Sequence, residues 1–136
     1  MFKVKYGIAI FMATALASGA AVASAAPAAG DGAKGKAVFA RCTVCHTVEA
    51  GKNKLGPSLA GVVGRKAGTV AGFNYSAAMT ASGMVWSSDA LDKYLASPRT
   101  AIPGNKMIFA GLPNPADRAN LIAYLQKPAA VKGGCP

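Results

Sequence analysis

The sequence has one histidine, His46, and three cysteines, Cys42, Cys45 and Cys135, so few side chains are available to hold a metal. A closed zinc site takes four nitrogen, sulfur or carboxylate ligands. Beyond Cys42, Cys45 and His46 the only further cysteine is Cys135, in the last two residues of a Gly-rich tail, which makes zinc a poor fit. No alternating β-branched run flanks Cys42 and Cys45, and this removes the βαβ setting of a thioredoxin-like redox pair. The chain also lacks a basic run and any interleaving of aromatic with basic residues, so nucleic acid is not an expected partner. Nothing repeats internally. The glycines from Gly30 to Gly35 match G-x-G-x-x-G and, with Lys36, nearly match a phosphate loop, but Ala37 stands where Ser or Thr is required and no strand precedes them. Gly35 is better explained as a point of close approach between two helices.

What the chain does contain is Cys42-Thr43-Val44-Cys45-His46, a C-x-x-C-H run that signals attachment of a c-type haem in an exported protein. On a helix, residues three apart share a face at about 5–6 Å between Cβ atoms. Cys42 and Cys45 can therefore reach the two vinyl groups on one porphyrin edge, each forming a thioether. His46 follows directly, and its neutral nitrogen suits iron. A disulfide between Cys42 and Cys45 would be only the oxidised form of a precursor that has not received its haem.

The N-terminus reads as a signal peptide over residues 1–25. Lys3 and Lys5 supply a positive start, Ile8 to Ala17 an apolar core, and Ala23-Ser24-Ala25 a small-residue cleavage pattern. The alternative is an uncleaved membrane anchor, since Gly7 to Ala26 is long enough to span a bilayer. Ser18, Ser24, Pro27 and the many alanines argue against it, and either reading exports the folded part, to the periplasm in a bacterium. Cleavage leaves about 111 residues, enough for one small domain. The domain is expected over 26–136, with a folded core of about 30–127 and a tail of 128–136. The whole chain carries a net charge of +10, and without Lys3 and Lys5 the balance is +8. Such a charge calls for acidic partners.

Periodicity places four helices. Asp31 can cap a helix over 32–43 with Val38 and Phe39 on its apolar side. The Gly-rich stretch from Glu49 to Gly68 is loop by composition, and Asn74-Tyr75-Ser76, though it matches a glycosylation acceptor, reads as turn chemistry. Ser76 to Ala81 is a short helix stopped by Gly83. Ser88 opens a helix that runs to Ser97 before Pro98, with Leu91, Tyr94 and Leu95 on one face. Ala101 to Pro113 is loop. Asn114 then caps a last helix that carries Pro115 at its first position and a stripe of Leu121, Ile122, Tyr124 and Leu125, ending at Lys127-Pro128.

A low-spin electron carrier needs a second iron ligand, and no second histidine exists. Of the methionines that survive export, Met79, Met84 and Met107, the last is favoured because Pro103-Gly104-Asn105-Lys106 holds it on a rigid loop. Met79 and Met84 suit gap-filling in the core.

The ordered motifs Cys42–Val48, Gly56-Pro57-Ser58-Leu59, Gly64-Arg65-Lys66, Gly72–Tyr75, Trp86, Tyr94-Leu95, Ile102–Gly111 and Leu121–Leu125 together resemble class I cytochrome c, in particular the exported bacterial relatives of the mitochondrial protein. The resemblance spans roughly Gly30 to Lys127. It implies a small all-α fold of about four or five helices around one covalent haem c, with His46 and Met107 as axial ligands. It further implies that the Pro57 carbonyl accepts from the His46 ring, that Arg65, Tyr75 and Trp86 hold the buried haem propionates, and that Tyr94 hydrogen-bonds near the methionine sulfur. Gly35, Phe39, Leu121 and Tyr124 match the crossing of the first and last helices. Two departures stand out: Met79 replaces an asparagine usual in the mitochondrial family, which alters the polar network below the haem, and Pro113-Asn114-Pro115 replaces basic residues. The docking ring then falls to Arg41, Lys54, Arg99 and Lys106.

The expected function is one-electron shuttling between exported redox partners, membrane reductases and oxidases or similar, through their acidic faces, with no small-molecule substrate. The competing class, a haem peroxidase or gas-binding protein, needs an open iron position that Met107 would fill. Cys135, left over once haem takes the other two, suggests a free thiol or a disulfide-linked dimer.

Overall fold

The computed structural model describes residues 29–127. The expected signal peptide, its cleavage near Ala25, and the tail with Cys135 lie outside the described residues. Five helices follow one another: α1 (Gly32–Phe39), α2 (Ala77–Ala81), α3 (Ser88–Ala96), α4 (Pro98–Ala101) and α5 (Pro115–Gln126). Among the described residues the only β-pairing is a single antiparallel bridge between Lys66 and Val85.

The start of α1 follows from Asp31, whose carboxylate accepts from the N–H groups of Ala33 at 2.8 Å and Lys34 at 3.2 Å. Its end differs from expectation. The α-helix stops at Phe39 instead of residue 43, and the N–H groups of Arg41, Cys42 and Cys45 reach back only three residues, to Val38, Phe39 and Cys42. The chemistry of Thr43 explains this: its hydroxyl donates to the Ala40 carbonyl at 2.8 Å and competes with the helical ladder, and it is followed by a second β-branched residue, Val44. The C-x-x-C-H run therefore sits on tightened turns.

Helix α3 opens at Ser88 as expected, and the capping serine is Ser87, whose side chain accepts from the Ala90 N–H at 3.1 Å. Ser88 is left free to accept from Gln126 of α5 at 3.2 Å. Pro98, expected only to end a helix, begins α4. A proline fits the first helical position, where its missing N–H is not needed, and the four-residue turn closes with Ile102 N–H on the Pro98 carbonyl at 3.0 Å. The last helix is as expected: Asn114 caps it, Pro115 leads it, and Leu121, Ile122, Tyr124 and Leu125 are all buried.

Helices α1 and α5 cross at Gly35. A Cβ there would fall on the Asn120 carbonyl and lie 2.8 Å from the Tyr124 Cβ, so only glycine allows this approach. One turn further on, the rings of Phe39 and Tyr124 meet at a tilt of 44°, with centroids 5.2 Å apart. Arg118, on α5, ties this pair to the rest: it donates to Asp92 of α3 at 2.7 Å and to the carbonyls of Leu112 and Pro113 at 2.8 and 2.9 Å.

Candidate haem site

The helices close only part of the interior. Between them and the two long loops lies a cavity of about 450 Å³. Cys42, Cys45 and His46 enter it from the turns after α1, Pro57, Leu59, Val62 and Arg65 from the first loop, Leu91, Tyr94 and Leu95 from α3, Met107 and Phe109 from the second loop, and Leu121 and Leu125 from α5. Tyr75, Met79 and Trp86 complete the wall. Cys42 and Cys45 are free, half-buried thiols, and burial pushes the Cys42 thiol up, against a smaller opposite pull from Arg41. It stays protonated at neutral pH.

The His46 imidazole is held through its Nδ1, 2.8 Å from the Pro57 carbonyl. A carbonyl only accepts, so Nδ1 carries the proton and Nε2 keeps its lone pair. Burial pulls the His46 pKa down, the Pro57 contact opposes this, and Lys54 adds to the lowering. The net result favours the neutral ring, the form that binds metal. The ring lies against Gly56, where a Cβ would come within 2.7 Å of Nδ1 and 2.8 Å of Nε2.

Met107 is aimed by its neighbours. Its N–H donates to Asn105 Oδ1 at 2.9 Å, while Asn105 Nδ2 donates to the carbonyls of Pro98 at 2.8 Å and Ile102 at 2.7 Å. Its sulfur accepts from the Tyr94 hydroxyl at 3.4 Å. Burial pushes the Tyr94 pKa up to about 12, so the hydroxyl remains a donor at neutral pH. The Trp86 and Tyr94 rings meet edge to face, centroids 4.9 Å apart. Arg65 is half-buried, spends two N–H groups on the carbonyls of Ala60 at 2.7 Å and Ser58 at 3.0 Å, and has no carboxylate partner among the described residues.

Of the four cations expected around the opening, Arg41 and Lys106 line it. Lys54 stands beside it with its ammonium on the Thr43 carbonyl at 2.6 Å. Arg99 is exposed on α4 and is not part of the cavity wall. Sequence reasoning overlooked the parts played by Asn105 and Asn53. Asn53 accepts from Ser58 N–H at 3.0 Å and donates to the Ala71 carbonyl at 3.1 Å, which pins the loop carrying Pro57. The only available signal was an asparagine in a glycine-rich loop, a setting in which its amide often replaces backbone hydrogen bonds.

This donor set fits a covalently held porphyrin: two thiols three residues apart, one neutral imidazole and one thioether face a mainly apolar cavity with an unneutralised guanidinium on its wall. Among the described residues no three His, Cys, Asp or Glu side chains converge to hold a bare metal ion. An all-helical domain with such a cavity defines the haem-carrying class of small electron-transfer proteins.

The chain belongs to the cytochrome c family: the family model "Cytochrome c" matches residues 32–128. It is 62% identical over 88 residues to "Cytochrome c2 iso-2" of Magnetospirillum fulvum, covering 65% of this chain and 92% of that one. To "Cytochrome c2" of Rhodomicrobium vannielii it is 52% identical over 103 residues, 75% of this chain and 82% of the other. Among solved structures, cytochrome cH from Methylobacterium extorquens superposes with a TM-score of 0.69 at 42% identity, covering 72% of this chain and 99% of that one. The family resemblance and the all-α fold with one covalent haem c are thereby established, and with them electron carriage as the general function.

Proposed function

We propose that the chain is an exported one-electron carrier in which Cys42 and Cys45 hold the haem by thioethers and His46 and Met107 are its axial ligands. Haem c, when bound, supplies a one-electron Fe(III)/Fe(II) couple, and Met/His ligation raises its potential. The observation that carries this reading is the pairing of two aimed donors in one cavity: His46 Nε2, freed by the Nδ1 contact with Pro57, and the Met107 sulfur, oriented by Tyr94. Arg65, with Tyr75 and Trp86, would receive the propionates. The apolar wall of Leu59, Val62, Leu95 and Phe109 would keep water from the iron. In this role the chain passes an electron and makes no bond, so the proposed activity is carriage and not catalysis. The signal-peptide reading of residues 1–25 assigns it to the periplasm; among the described residues no helix is long and apolar enough to cross a membrane. Arg41, Lys54, Arg99 and Lys106 would steer it to acidic faces of membrane reductases and oxidases, and Cys135 could link two copies.

Met107→Ala tests the ligand set. The variant should lose the weak red-edge absorption band of iron–thioether charge transfer, show a lowered potential and gain peroxidase activity. An unchanged spectrum would transfer the role to Met79 or Met84.

A further inference from the structure

A groove of about 430 Å³ lies beside the seam of α3 and α5, and none of the residues lining it lines the haem cavity. Its walls are small. Ala119 and Ala123 of α5 face Ala29 and Gly30, and a Cβ on Gly30 would fall on the Ala119 carbonyl, so the chain ahead of α1 runs tight against the helix there. Ile122 adds apolar surface. Gln126 stands at one end, its amide on the Ser88 hydroxyl at 3.2 Å, and Asp92, paired with Arg118, stands towards the other. The charge here runs against that of the whole chain: four of its five acidic side chains, Asp31, Asp89, Asp92 and Asp117, belong to the α1 cap, α3 and α5. Asp89 lies exposed in the groove, and none of the ion pairs among the described residues involves it or Lys93 nearby.

Helix α5 brings its own chain to this groove. It ends at Gln126, in the groove wall, and Lys127 leaves the helical conformation. Residues 128–136 carry one branched aliphatic side chain, Val131, and beside it one charged side chain, Lys132. The five residues from Lys127 to Lys132 reach about 17 Å when extended, and α5 from Ala119 to Gln126 is about 10 Å long. A segment folded back over α5 therefore reaches Asp89 with length left for the turn. We infer that the segment after Lys127 occupies the groove, with Val131 against Ile122 and the alanines and Lys132 on Asp89. The segment ahead of Ala29 starts at the same place, but Ala26-Pro27-Ala28 has no charged side chain to offer Asp89. Docking of this kind ties the end of the last helix to α3 and leaves the haem opening free, since groove and cavity share no residue.

The test is a zero-length cross-link in the exported holoprotein, made in a Cys135→Ser background so that no disulfide joins two copies. A water-soluble carbodiimide couples a lysine to a carboxylate where the two meet as an ion pair, and peptide mapping reads the product. A mixture of isotopically labelled and unlabelled copies separates links within one chain from links between two. Lys132 should be joined to Asp89 within one chain, and Asp89→Asn should abolish the product. Val131→Ser should lower its yield several-fold, because burial of the valine, and not the tether alone, holds the lysine in place. A yield that Val131→Ser leaves unchanged describes a tethered lysine that meets Asp89 without docking, and overturns the inference. No link at Lys132, or links only to carboxylates other than Asp89 or to a second copy, overturns it as well. A link from the chain's α-amine to Asp89 in place of Lys132 gives the groove to the segment ahead of Ala29 and overturns it in the same way.

Discussion

The two walls of the cavity are built on different physics. On one side α1, α3 and α5 pack through buried side chains, with Gly35 and the Phe39–Tyr124 pair at the crossing. On the other, the stretches around Pro57 and Met107 are largely loop, shaped by side-chain amides and glycines: Asn53 on Ser58 and Ala71, Asn105 on Pro98, Ile102 and Met107, Gly56 against the His46 ring. Packing over many atoms gives a wall that resists global unfolding. A few hydrogen bonds give one that aims the proposed ligands, His46 and Met107. Variants in the first should move overall stability, and variants in the second should disturb ligation before they disturb the fold.

The largest effect belongs to the helix crossing. Gly35→Val puts branched atoms where even a Cβ meets the Asn120 carbonyl, so the helices must separate. About 3 kcal/mol of stability should be lost, the upper end of ordinary overpacking, and the thermal midpoint should fall by roughly 10–20 °C. Calorimetry of the holoprotein reads both. A midpoint within a degree or two of wild type would mean that the crossing tolerates separation, and the contrast between the walls would fail. Gly56→Ala comes next, at about 1–3 kcal/mol. The three atoms nearest its Cβ all belong to the imidazole, so the visible spectrum at 25 °C should already show weakened His46 ligation. A normal spectrum with only a lower midpoint would make Gly56 a general packing position.

The helix wall was the more legible of the two. Leu91, Tyr94 and Leu95, and Leu121 with Leu125, lie at the spacing that periodicity detects, and all five are buried. Asp31 and Asn114 were readable as caps because the rule needs only a side-chain oxygen near two free N–H groups. Errors arose where local chemistry competes with the ladder. Thr43 bonds back to Ala40 and α1 ends early, and Pro98, besides standing just past the end of α3, starts a further short helix that periodicity did not show. The ligand motif Cys42–His46 could be read because its spacing is covalent chemistry. Asn53 and Asn105 could not, because each acts on carbonyls or amides that only the folded loop brings near.

Asn105→Ala probes the loop wall without adding bulk. It removes the acceptor for the Met107 N–H, a second, longer contact in which Asn105 Oδ1 accepts from the Tyr94 hydroxyl at 3.5 Å, and the two donations to Pro98 and Ile102, four hydrogen bonds in a half-buried position. At about 1 kcal/mol each in mutational series, and less where water can replace them, the loop should lose about 2 kcal/mol. The red-edge band should then disappear at a lower denaturant concentration than far-ultraviolet helicity does. Coincident transitions would show that the loop and the helices unfold as one unit.

The smallest effect sharpens the contrast from the other side. Ser87→Ala removes one acceptor, for the Ala90 N–H, at the exposed start of α3. A lost serine cap costs about 1 kcal/mol. The Ala90 N–H can turn to water, which holds the cost at the lower end of the range for caps. Helix α3 also carries Tyr94, whose hydroxyl touches the Met107 sulfur, so a change at Ser87 might be thought to travel along the helix to the ligand. The cap acts on the first turn, however, and Tyr94 is a full turn further along, fixed by its contact with Trp86. The whole unfolding curve should therefore shift to lower denaturant with its slope unchanged, and the red-edge band and helicity should still disappear together. If the band were lost first, α3 would transmit strain to Met107, and the ligand-aiming wall would have to include that helix.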